Sequence, residues 1–120
     1  NTTEVSTALA VTNVESWMAG KYVEFSFTGI PAPRSILIQD EATEDIDVGS
    51  ECTFFLNEDA GGAAITIDLA VGVEAKWFSG AGGAINQTGP GVGAQFAGLY
   101  TAITIKKIDS DLWHIIGNIA

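Results

Sequence analysis

Few side chains in this sequence could do chemistry, and the reactive ones stand alone. His114 is the only histidine and Cys52 the only cysteine among 120 residues. A nucleophilic triad needs a base held beside its nucleophile. His114 instead lies in the apolar run Leu112-Trp113-His114-Ile115-Ile116, where strand alternation sets it on the face opposite Trp113. One imidazole cannot build a multi-histidine metal centre, and it reads as a surface or hydrogen-bonded residue. Cys52 opens Cys52-Thr53-Phe54-Phe55-Leu56 with no cation beside it to lower its pKa, so it reads as a small buried core residue.

The carboxylates are more numerous. Asp40, Glu41, Glu44, Asp45 and Asp47 fall within eleven residues that contain no cation. Hard cations want several oxygen ligands, but the spacing and glycine of a twelve-residue calcium loop are missing, and mutual repulsion makes residues 40–50 a solvated loop. No apolar neighbour would raise one carboxyl selectively, as paired-carboxylate catalysis requires. Gly80-Ala81-Gly82-Gly83-Ala84 is rich enough in glycine to cradle a phosphate, yet no Lys and Ser/Thr follow it. The expectation is a protein that is not an enzyme, with no cofactor and no metal. Trp113 reads as a core or interface anchor.

Charge narrows the partners. Fifteen acidic and five basic residues give a net charge of −10, and Lys106-Lys107 is the only adjacent pair of cations. Nucleic acid and anionic membranes demand a basic stripe, so neither is an expected partner. No run approaches the ~18 apolar residues of a membrane span, and no basic and then hydrophobic leader begins the chain. One cysteine excludes an intrachain disulfide, which fits assembly in a reducing cytoplasm.

The elements that must position these residues are strands. Hydrophobic residues make up 47% of the chain, charged residues 17%, and there are 14 glycines, a composition too apolar for disorder and too interrupted for long helices. Tyr22-Val23-Glu24-Phe25-Ser26-Phe27 alternates and stops at Gly29; Ser35-Ile36-Leu37-Ile38-Gln39 follows two prolines. Cys52 to Leu56 and Ala64 to Leu69 flank a glycine turn and are expected to pair as a hairpin. Val73-Glu74-Ala75-Lys76-Trp77-Phe78 is another strand. Residues 79–98, with seven glycines and Pro90, read as a long flexible loop. Residues 99–108 and 112–116, around Asp109-Ser110-Asp111, read as a closing hairpin that ends inside the fold, as a complete C-terminal module would. No internal repeat is apparent. The expected fold is all-β: a single-domain β-sandwich or small barrel of seven to eight short, mainly antiparallel strands. Residues 1–20 would be an N-terminal arm and first strand, with residues 2–12 forming either an edge strand or an extended arm, and residues 21–120 the domain.

The closing pattern resembles a β module of tailed-bacteriophage virion proteins. Gly98-Leu99-Tyr100 leads into Ala102-Ile103-Thr104-Ile105-Lys106-Lys107-Ile108, then an Asp/Ser turn, then Trp113-His114-Ile115-Ile116-Gly117-Asn118-Ile119. Val48-Gly49-Ser50 before Thr53-Phe54-Phe55-Leu56, and Ala60-Gly61-Gly62 before Ile65-Thr66-Ile67, look like the same family's upstream strands and turns, so the likeness covers residues 46–120. That resemblance implies a structural protein of the virion, located on the capsid surface and assembled in the bacterial cytoplasm. The family serves as trimeric capsid decoration (cement) proteins and at tail-fibre tips.

A mean hydropathy of +0.27 beside ten net negative charges suggests more apolar surface than one small domain hides. The expectation is therefore a homotrimeric decoration protein over junctions of the major capsid protein. Leu99, Ile103, Ile105, Trp113 and Ile115 would form its interface. An arm comprising Asn1, Thr2, Thr3, Glu4, Val5, Leu9 and Val11 would grip the shell, three arms adding through effective concentration. The rival is a fibre or spike tip that binds a host receptor, with Trp77-Phe78 and the glycine-rich segment against a glycan.

Overall fold

Polar–apolar alternation, interrupted by glycine and proline turns, folds this chain into two packed sheets. The computed structural model describes residues 2–120 and contains eleven strands. They are β1 (Thr2–Thr7), β2 (Val11–Asn13), β3 (Tyr22–Phe27), β4 (Arg34–Ile38), β5 (Glu51–Asp59), β6 (Ile65–Leu69), β7 (Glu74–Ser79), β8 (Gly83–Thr88), β9 (Gly91–Gln95), β10 (Ala102–Asp109) and β11 (Leu112–Gly117). A seven-stranded sheet runs β1-β3-β5-β10-β11-β7-β8, and a four-stranded sheet runs β2-β4-β6-β9. The fold is an all-β, single-domain sandwich.

Three expectations about its wiring need correction. There are more than eight strands, and parallel pairing is as prominent as antiparallel: β1/β3, β3/β5, β2/β4, β4/β6 and β7/β11 are parallel, against four antiparallel pairs. The cause is a winding course. From β1 to β6 the chain crosses to the opposite sheet after every strand, so each return to a sheet runs in the direction of the strand before it. β5 and β6, expected to pair as a hairpin, therefore lie in different sheets, with the Ala60-Gly61-Gly62 turn carrying the chain across.

The winding also conceals a repeat that the residues did not display. Tyr22 aligns with Thr53 and Arg34 with Ile65, a constant offset of 31 positions across both sheets (53 − 22 and 65 − 34). Apolar residues stack on apolar ones at that offset: Val23 beside Phe54, Phe25 beside Leu56, Ile36 beside Ile67 and Ile38 beside Leu69. A bulge after Phe25 slips the register locally.

Residues 79–98, expected as a loop, hold β8 and β9. Glycine supports strand structure here through close approach: a Cβ on Gly93 would overlap the Ile67 carbonyl oxygen of the neighbouring β6. The closing hairpin is present as β10 and β11, with Asp111 at φ +50° in its turn. Gly117 ends it at φ +144°, where a side chain would strike the carbonyl of Ala102.

The core lies between the sheets. Val23, Phe25, Phe27, Phe54, Leu56, Ile103, Ile105 and Trp113 face Ile36, Ile38, Ile65, Ile67 and Leu69, all buried. Phe25 stacks on Phe27 with centroids 5.4 Å apart and meets Phe54 edge-on at 5.5 Å. Among the described residues one buried hydroxyl, that of Thr12, has no hydrogen-bond partner.

Candidate functional site

Buried polar groups show where this small fold has invested in fixed geometry. Arg34, the only arginine, follows Pro31-Ala32-Pro33 and starts β4. Its side chain is only 4% exposed. The guanidinium donates to the carbonyls of Thr28 and Ile30, both at 2.9 Å, and over a longer 3.4 Å to that of Leu9. Those carbonyls belong to two separate turns, and Gly29 brings them together: a Cβ built there would lie 3.4 Å from that of Ala8. Backbone bonds from Thr28 to Thr7 and from Ser35 to Ala10 complete the join.

The consequence is a rigid tip that presents grease to water. Leu9 is 66% exposed and Ile30 79% exposed, although the backbone beneath both is held by one buried cation. Val11, on β2, is also exposed, and beside it a shallow groove of about 410 Å³ runs over the outer face of the four-stranded sheet past Pro33, Thr66, Asp68 and Val92. Fixed, exposed aliphatic side chains are a mark of contact surfaces.

A second patch lies on the outer face of the seven-stranded sheet. The rings of Tyr22, Phe55 and Tyr100 form a row with centroids 6.2 Å apart at each step and planes within 28° and 18° of parallel. Tyr100, at the end of the row, is 69% exposed and adopts φ +61°, unusual for a bulky residue. The same sheet carries a third surface, an apolar trough over β11, β7 and β8, taken up below.

Lys107 is the other buried cation, at 2% exposure. Strand alternation from Ile103 and Ile105 turns it inward, where its ammonium contacts Glu41 Oε1 at 2.7 Å and the carbonyl of Ile46. Glu41 also accepts from the Ser110 hydroxyl at 2.8 Å, and its backbone N–H donates to Asp111. The Lys107 hydrogen bond, followed by that from Ser110, holds the Glu41 carboxyl below its ordinary range. The acidic segment is the loop expected of it, largely exposed, but a lysine 66 residues away in sequence pins its Glu41 to the end of the closing hairpin.

The expected interface set has to be corrected. Ile103, Ile105, Trp113 and Ile115 are buried within this chain's own core, with at most 2% exposure, because they occupy the inward positions of β10 and β11. Only Leu99 faces solvent. The apolar surplus inferred from composition is largely spent inside the domain. Trp77 is likewise interior, while its neighbour Phe78 is exposed.

The expected arm divides. Thr2, Thr3, Glu4 and Val5 belong to β1, hydrogen-bonded along β3 as an edge strand, the first of the two forms expected of residues 2–12, and Val5 packs on the core, so they are not available as an extended arm. Leu9 and Val11 remain exposed at the tip. Asn1 lies outside the described residues. His114 lies on the outer face beside Lys76. Cys52 is buried, and desolvation pushes its thiol up to about 12, which removes it as a nucleophile near neutral pH.

Among the described residues no helix is long and apolar enough to cross a membrane, and no cluster of three metal-ligating side chains occurs. Arg34 and Ile30 were missed by sequence reasoning; the available signal was a lone arginine at the head of an apolar strand. No family model, no curated protein and no solved structure matches this chain, so the likeness of its closing hairpin to phage virion modules rests on the residues quoted for it.

Proposed function

We propose that this chain is a structural, non-enzymatic component of a tailed-bacteriophage particle that decorates the head, docking on the major capsid protein through the tip built from Leu9, Val11 and Ile30. The observation that carries the reading is Arg34. A buried guanidinium fixes two turns so that each presents a large aliphatic side chain to solvent, an arrangement that suits a partner covering both. Preorganised anchors lose little entropy on docking, which suits a part that must hold to a shell. The phage context comes from the closing pattern around Trp113 and Gly117.

The test uses particles from which the protein has been removed. Leu9→Asp and Ile30→Asp change exposed side chains and leave the melting temperature near that of the parent chain. Each is expected to weaken rebinding to the particles at least about tenfold. Rebinding at parental strength by the double variant overturns the proposal.

A tail-fibre tip is the second reading, and one observation favours it: the row Tyr22, Phe55 and Tyr100, whose exposed terminal ring suits stacking against a sugar. Counting copies per particle separates the two. Hundreds support decoration, and a few dozen or fewer support the tail.

A further inference from the structure

We propose that two copies of this chain associate edge to edge through β8, joining their seven-stranded sheets about a twofold axis. This inference does not depend on the head-decoration reading. Three independent features converge on it.

The first is an unguarded edge. β8 ends the seven-stranded sheet, and its sequence, Gly-Ala-Ile-Asn-Gln-Thr, holds no charge and no proline over six residues. Its register with β7 is unbroken from Glu74/Thr88 to Ser79/Gly83, so no bulge twists the edge away. Soluble proteins normally block such an edge with a charge, a bulge or a covering loop. The opposite end of the same sheet follows that rule, since β1 carries Glu4.

The second is the surface beside it. The outward residues of β11, β7 and β8 line a trough of about 650 Å³ that includes Phe78, 71% exposed, and Ile116, 60% exposed. Phe78 stands directly across from the small Ala84 on the edge strand. A second copy arriving along β8 brings its own Ala84 to the junction, leaving room for the phenylalanine rings on either side to be covered.

The third is charge. β7, β8 and β11 together carry one acidic residue, Glu74, across from Thr88 at the far end of the edge strand, although the chain carries a net charge of −10. The titratable side chains lining the trough are Lys76 and His114. The β8 end is therefore where two strongly acidic copies meet with least repulsion, whereas the β1–β3 end, with Glu4 and Glu24, repels its like. Antiparallel pairing of β8 with itself is a self-complementary contact that closes at two and leaves no sticky end.

Sedimentation velocity on the full chain at micromolar concentration tests the proposal, with Ala84→Lys and Phe78→Glu as variants at exposed positions whose far-ultraviolet spectra and melting temperatures report an intact fold. The expected result is a parental dimer whose dissociation constant rises at least about tenfold in each variant, with β8 amides protected from exchange in the dimer and unprotected on dilution. A parental monomer, a trimer, or a dimer indifferent to both substitutions overturns it. A fall in head binding by Leu9→Asp with the dimer unchanged leaves this inference standing and bears on the docking tip alone.

Discussion

Arg34→Met asks directly whether one buried cation builds the tip. Methionine fills most of the space of the arginine stem, so the loss is mainly of donors to the carbonyls of Thr28, Ile30 and Leu9. A carbonyl stripped of its partner costs about 1–3 kcal/mol, and since these turns border solvent, water can replace part of the loss. Taking the lower bound for each gives about 3 kcal/mol. For a domain of this length each kcal/mol lowers the melting temperature by about 4 °C, so a fall of about 12 °C is expected by calorimetry. Arg34→Lys should fall between the two, because one ammonium cannot span three carbonyls. Amide exchange adds a local readout: in Arg34→Met the amides of Thr28 and Ser35, which bridge the two turns, lose protection before the core does. A melting temperature within about 2 °C of the parent, with those amides still protected, would refute the reasoning.

Other substitutions test the rest of the fold. Thr12→Val removes a buried hydroxyl that has no partner beside the Ile36–Ile67 stack, and should raise stability by about 1 kcal/mol in urea unfolding. Lys107→Met leaves the Ile46 carbonyl unpaired and should cost about 2 kcal/mol, with residues 40–50 becoming open to proteolysis while the sheets persist. Glu41 has its carboxyl lowered from an ordinary value of 4.5, so its contribution is complete above that value and is lost as pH falls through the lower folded value. The melting-temperature gap between the parent and Glu41→Gln should accordingly close on acidification, and a gap that widens contradicts the pairing with Lys107. Gly117→Ala places a methyl group against the Ala102 carbonyl at a φ disfavoured for alanine, and should cost more than about 1 kcal/mol by thermal melting.

Local patterns were legible where the chain writes its structure in neighbouring residues. β3 is readable because Tyr22 to Phe27 alternates without interruption, and the closing hairpin because Asp109-Ser110-Asp111 offers turn chemistry between two branched runs. What stayed hidden depends on residues far apart. The parallel winding requires that Val23 and Phe54 stack at 31 positions' separation, and nothing at either site announces the other. Glycines at 89 and 93 read as flexibility, whereas they are fixed by carbonyls of β6 and the turn after it.

The site was half legible for the same reason. Leu9 and Val11 could be picked out as apolar residues in a weakly patterned segment, but Ile30 joins them only because Arg34 bonds both turns. Lys107 was partly readable: its inward phase follows from Ile103 and Ile105, while its acidic partner is reached only through the fold. Four of the five residues expected at an interface, Ile103, Ile105, Trp113 and Ile115, show the converse error: their hydrophobic face reads as a partner's contact when the second sheet of the same chain covers it.

The claim at the centre of this account is that the Arg34-held tip is the surface that meets the particle. A photo-crosslinking amino acid at position 30, incorporated during infection, tests it most directly, with position 24 on the opposite face as control. The account predicts that position 30 captures the major capsid protein and position 24 does not; capture confined to tail proteins, or equal capture from both positions, contradicts it.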